Sequence, residues 1–165
     1  MLSEISGLDD TSLLNAYLLT GYDVCFRCGA YNYKIVSKPM PEIIKNIRTM
    51  INRSLLFLKQ YGPVIQYGFT LKGGYTELVT SGDGDFITED TLWELKVSKR
   101  PPKASHTLQL LMYYIMGKHS IHPEIFDVKK LGIFNPRLNK IYYISIDSID
   151  PHLITEVSEK IIGYK

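Results

Sequence analysis

The chain has 165 residues, 45% of them hydrophobic and 22% charged, with a net charge of +2. That balance suits one folded domain with a sizeable core, excludes general disorder, and leaves any phosphate-binding surface to local clustering of Lys and Arg. No apolar run reaches the roughly 18 residues of a membrane span, and Met1-Leu2-Ser3-Glu4 begins no secretory leader, so a cytoplasmic protein without a membrane part is expected.

Residues 8–19 place Leu13, Leu14, Tyr17 and Leu18 at near-helical spacing, with Asp9 or Asp10 and Thr11 able to cap a helix. Cys25 and Cys28 form a single Cys-x-x-Cys, half of a tetrahedral zinc site with no second half in the sequence, and two reduced thiols are expected. Residues 31–36 alternate weakly, as a short strand would. Pro41 and Glu42 suit the first turn of a helix over 41–61, whose apolar stripe is Ile43, Ile44, Ile47, Met50, Ile51, Leu55 and Leu58, and Gly62-Pro63 ends it.

Residues 64–71 read as a strand, Lys72-Gly73-Gly74 as a hairpin turn and 75–80 as the returning strand. After Ser81-Gly82-Asp83-Gly84, extended runs are expected over 85–88 and 92–97, with a turn at 89–91. Lys99-Arg100-Pro101-Pro102-Lys103 cannot be helical. A helix from Ser105 or His106 to Met116 stops at Gly117, a hairpin joins 129–135 to 140–146, and a last helix covers 151–162. The order predicts an α/β fold, a mixed central β-sheet flanked by helices. Twelve tyrosines fit half-buried strands before they fit base stacking.

The chemistry concentrates in Gly82-Asp83-Gly84-Asp85-Phe86-Ile87 and Leu92-Trp93-Glu94-Leu95-Lys96. A tight turn between the two runs brings Asp85 and Glu94 together. Facing carboxylates repel and are costly to desolvate unless a cation lies between them, and Mg²⁺ takes such oxygen ligands while keeping waters. Period-two alternation puts Glu94 and Lys96 on one face, where a lysine can orient an attacking water or balance charge on an attacked phosphate. The Leu95 carbonyl is a further candidate ligand. Glu-x-Lys alone also describes an ordinary solvated hairpin; the apolar neighbours Phe86, Ile87, Leu92, Trp93, Leu95 and Val97 argue instead for buried strands.

These runs, followed by a helix containing Gln109-Leu110-Leu111-Met112-Tyr113, resemble the PD-(D/E)xK nuclease superfamily and, more narrowly, its RecB-like branch with a Gln-x-x-x-Tyr motif. The resemblance spans about residues 75–146. It implies a restriction-endonuclease-like core over about 41–146 in a single domain, with 1–38 an N-terminal extension of open role. It implies Asp85 and Glu94 as metal ligands, Lys96 as the catalytic lysine, Gln109 as a site residue and Tyr113 one turn further on the same helix face. Asp83 is a rival for the first aspartate; Asp85 is preferred because the family places that acid just before apolar strand residues. Some members also use a glutamate on the first helix, for which Glu42 is the candidate. The four-cysteine pattern of the iron–sulfur members is missing, so no cluster is expected.

The implied activity is Mg²⁺- or Mn²⁺-dependent hydrolysis of DNA phosphodiester bonds, endo- or exonucleolytic; the alternative is a non-catalytic relative that binds nucleic acid or a protein partner. Lys99, Arg100 and Lys103 are the expected phosphate contacts, with Lys118, His119, His122, Arg137 and Lys140 as further basic positions. His106, near the start of the Gln109 helix, is a candidate acid or base. A homo-oligomer or protein partner is compatible with so small a unit. Resemblance alone suggests a phage, mobile-element, defence or repair setting, with the host-cell cytoplasm as location if phage-encoded.

Overall fold

The computed structural model describes residues 2–28 and 39–165. The strand expected over 31–36, and the side chains of Cys25 and Cys28, lie outside the described residues. The chain divides into two compact units, Met1–Arg53 and Ser54–Lys165.

In the first unit a 3-10 turn, Leu2–Glu4, precedes α1, Asp10–Cys28. Asp9 is the N-cap: its carboxylate accepts the Ser12 N–H at 3.0 Å and the Ser12 hydroxyl at 2.6 Å, satisfying a donor that helix geometry leaves free. Asn15 Nδ2 donates to Glu4 Oε2 at 3.3 Å. Arg48 ties the same corner down by donating to the Leu8 carbonyl and to Asp10. The helix runs nine residues beyond the expected end at Leu19. The second helix, α2, has the expected bounds, Pro41–Tyr61. Its stripe differs at one point: Leu55 is exposed and Phe57 takes the buried position.

The second unit is α/β. Five strands, β1 (Val64–Thr70), β2 (Asp83–Thr88), β3 (Thr91–Leu95), β4 (Lys130–Asn135) and β5 (Lys140–Ser145), form a mixed sheet in chain order. Only β3 and β4 are parallel, and α3, Ala104–Lys118, lies in the connection between them. A final helix, α4 (Pro151–Glu156), is capped by Asp150 and widens into a π-helical turn over Val157–Ile162. Among the described residues no helix is long and apolar enough to cross a membrane.

Strand alternation divides the core. On one face Phe86, Trp93 and Phe134 pack with Phe57, which stacks on Phe134 at 4.2 Å and meets Trp93 edge-on at 4.8 Å. On the other, Ile87, Leu92, Leu131 and Ile133 pack against Leu110, Leu111, Ile115 and Met116 of α3. Each such side chain contributes about 1.5–3 kcal/mol of burial.

Two local expectations are corrected. Residues 75–80 are not a strand; β1 pairs with β2 instead, with Phe69 opposite Gly84 and Thr70 opposite Asp83. The intervening segment is held by local side-chain contacts and by bonds to distant residues. Thr76 Oγ1 accepts the N–H groups of Leu78 and Val79 and donates to the Ile162 carbonyl at 2.5 Å. Tyr75 bridges the Leu71 N–H and the Gly82 carbonyl. Likewise, Gly117 does not stop α3, which continues to Lys118. It is buried within the helix, where a side chain has no room: a Cβ there would lie 2.1 Å from the Phe126 ring.

Candidate active site

The β2–β3 hairpin pairs Phe86 with Trp93 and Ile87 with Leu92. One further step along this register sets Asp85 opposite Glu94, as the turn at residues 89–90 requires. The expected 92–97 strand ends at Leu95, but Lys96 N–H still reaches the Phe134 carbonyl at 3.0 Å. Lys96 is therefore held at the C-terminal edge of the parallel pair, on the α3 face with Glu94 and Leu92.

A continuous polar chain runs from this edge to the helix. Lys96 Nζ donates to Glu94 Oε1 at 2.5 Å and to Gln109 Oε1 at 3.3 Å. Gln109 Nε2 donates to the Tyr113 hydroxyl at 2.7 Å, the i,i+4 contact of one helical turn. Asp85 joins from the neighbouring strand, where its Oδ2 accepts the Leu95 N–H at 2.6 Å. The structure thus brings together Asp85, Glu94, Leu95, Lys96, Gln109 and Tyr113. Glycine matters at Gly84, between the two aspartates: a Cβ there would meet the Phe69 ring at 2.0 Å, so the strand carrying Asp85 closes on β1 only without a side chain.

Glu94 is 7% exposed. Burial pushes its carboxyl above the usual range; the Lys96 hydrogen bond opposes this, and the negative charge of Asp85 adds to the rise. Tyr113 is also pushed up, first by burial and then by the charges of Glu94, Asp83 and Asp85, while its bond from Gln109 opposes the rise. Its hydroxyl therefore stays protonated. Asp83 contributes to this field from an exposed position at the start of β2.

Asp85 Oδ1 and Glu94 Oε2 accept no hydrogen bond from any of the described residues. These two oxygens and the Leu95 carbonyl are the groups that could hold a divalent cation. Among the described residues no group of three or more His, Cys, Asp or Glu side chains stands ready to hold a metal. Oxygen donors of this kind are the ligands that hard cations such as Mg²⁺ take.

Other expected positions take no part in these hydrogen bonds. Lys99, Arg100 and Lys103 are exposed on the linker to α3, and Arg137 and Lys140 are exposed around the β4–β5 turn. His106 Nδ1 accepts the Lys103 N–H at 3.3 Å, a helix-start contact. His119 stacks on Tyr164, His122 pairs with Glu124 and Lys118 with Asp127. Glu42 is exposed in the first turn of α2.

One polar residue at this edge was missed from sequence. Asn135, 1% exposed, accepts the N–H groups of Arg137 and Leu138 on Oδ1 at 3.0 and 3.1 Å and donates from Nδ2 to the Ser98 carbonyl at 2.9 Å. An Asn followed by Pro-Arg signals the turn, but nothing in the sequence signals the bond to a residue 37 positions earlier. Compared with known protein families, curated proteins and solved structures, the chain has no significant match.

Proposed function

We propose that the protein is a metal-dependent nuclease that hydrolyses DNA phosphodiester bonds, on a restriction-endonuclease-like core of the PD-(D/E)xK kind. The observation that carries this reading is the chain Glu94–Lys96–Gln109–Tyr113 with Asp85 beside it. A buried acid with a raised pKa, a partnered lysine and a second carboxylate collect at one sheet edge, where perturbed groups mark candidate catalytic sites.

Asp85, Glu94 and the Leu95 carbonyl would hold Mg²⁺ or Mn²⁺, which when bound supplies Lewis acidity to the phosphate and its leaving oxygen. The chain's own groups do the rest. Lys96, fixed between Glu94 and Gln109, presents an ammonium that aligns the attacking water and offsets negative charge developing on the phosphate. Gln109 limits where that ammonium can swing and is itself fixed by Tyr113. The neutral Tyr113 hydroxyl offers a proton for a hydrogen bond to the substrate strand. Water adds across one P–O bond, losing a proton as the leaving oxygen gains one. Lys99, Arg100 and Lys103 supply phosphate contacts without sequence preference.

The test is cleavage of circular and linear DNA, single- and double-stranded, with Mg²⁺, Mn²⁺ or EDTA. The expected result is metal-dependent cutting that Glu94→Ala and Lys96→Ala each slow by about 10²–10³-fold; cutting of circles would make the enzyme an endonuclease. No cutting under any condition, with DNA binding unaffected by either substitution, would reject catalysis in favour of a binding role.

A further inference from the structure

Beyond Lys96 the chain leaves the sheet for a linker that has little to hold it. Pro101 and Pro102 offer no N–H. Within the linker, Ser98 N–H reaches the Lys96 carbonyl and Arg100 N–H reaches the Ser98 hydroxyl, both local contacts. Among the described residues, two bonds from outside fix the backbone between Lys96 and Arg100: Lys96 N–H to the Phe134 carbonyl, and Asn135 Nδ2 to the Ser98 carbonyl. Both come from the last two residues of β4.

The register explains why Asn135 is placed to do this. Glu94 lies beside Ile133 and Leu95 beside Phe134, so the next step sets Lys96 beside Asn135 on the α3 face. The other end of the same side chain organises the β4–β5 turn through Arg137 and Leu138. One buried amide thereby couples the linker bearing Lys99, Arg100 and Lys103 to the turn bearing Arg137. Those cations are exposed, and those of Lys99, Arg100 and Lys103 have no protein partner among the described residues.

We infer that Asn135 is a positioning residue: it locks two basic segments into one phosphate-contacting rail beside Lys96. The inference rests on the nuclease reading above. The amide is specific to the task, because a carboxylate keeps the acceptor that builds the turn but loses the donor that reaches Ser98.

Asn135→Asp separates the two roles. Hydrogen exchange is expected to quicken for the amides of residues 96–100 while those of Arg137 and Leu138 stay protected. Affinity for a DNA duplex should fall about tenfold near 0.1 M salt, and the salt dependence should become shallower by roughly 0.9 for each phosphate the protein no longer neutralises. In cleavage, KM should rise by a similar factor with kcat changed much less. Asn135→Ser, neutral and too short to reach Ser98 yet able to form the turn, serves as the second variant should a buried carboxylate unfold the chain. An active wild type beside folded variants with unchanged KM and salt slope overturns the role of Asn135 alone. A wild type that neither binds nor cuts DNA overturns the nuclease reading, and this inference with it.

Discussion

The two ends of β3 carry the same pair of groups, a lysine ammonium on a carboxylate, with opposite consequences. At the turn end, Lys130 Nζ meets Asp90 Oδ2 at 2.8 Å with both side chains over 40% exposed. The Lys130 hydrogen bond holds the Asp90 carboxyl below its usual range and Asp90 holds Lys130 above its own. At the other end, Lys96 meets Glu94 at 2.5 Å with side chains 26% and 9% exposed, and there burial outweighs the partner, so the Glu94 carboxyl rises. Water solvates the first pair and makes it a modest clasp. The second pair was drawn out of water at a cost that packing alone does not require. Expensive charge of that sort is better accounted for by chemistry than by stability.

Breaking each end should therefore affect different observables. The largest effect is expected at the buried pair, where Lys96→Ala or Glu94→Ala should lower the single-turnover cleavage rate by about 10²–10³-fold. Lys130→Ala should leave that rate within about twofold. Comparable losses at both ends would erase the distinction. Next comes Thr88→Val, near the turn end, where the Trp93 indole N–H donates to the buried Thr88 hydroxyl at 3.0 Å. Removing that acceptor strands a buried donor and should cost about 1–3 kcal/mol in denaturant unfolding. Activity per folded molecule should stay unchanged.

The contrast also shows what could be read before the fold was known. Helix 41–61 was legible because its signals are local: a proline start, a periodic stripe, a Gly-Pro stop. The candidate site was legible as spacing, since a two-residue step relates Glu94 to Lys96 and a four-residue step relates Gln109 to Tyr113. The Lys96–Gln109 contact needed the crossover that lays α3 over the parallel pair. Residues 75–80 carry strand-forming side chains yet form a loop, because the hydroxyl of Thr76 finds its acceptor at Ile162, 86 positions away. Gly117 looked like a helix stop because its real reason, the Phe126 ring, arrives from another element. Asn135 was passed over for the same reason: half of its work is a turn, and the other half lies across the sheet.

The smallest effects are the most discriminating, because their signs differ. The Glu94 carboxyl is raised in the folded state, so the folded protein binds its proton more tightly than the unfolded chain. The stability this group contributes is full below the ordinary glutamate range and is lost as pH rises through the raised value. Glu94→Gln should remove that decline, so that the variant's unfolding free energy gains on the wild type's as pH climbs from the ordinary range upward. The Asp90 carboxyl is lowered, so its contribution is present above the ordinary aspartate range and is lost as pH falls through the lowered value. Asp90→Asn should therefore destabilise at neutral pH, by no more than about 2–4 °C in melting temperature for a chain of this size, and the deficit should vanish in acid. Melting curves of both variants and the wild type between pH 3 and 8 test this pair of signs. Parallel curves for Glu94→Gln and wild type would mean that folding does not raise the Glu94 carboxyl, and the case for a costly buried charge at the sheet edge would fail.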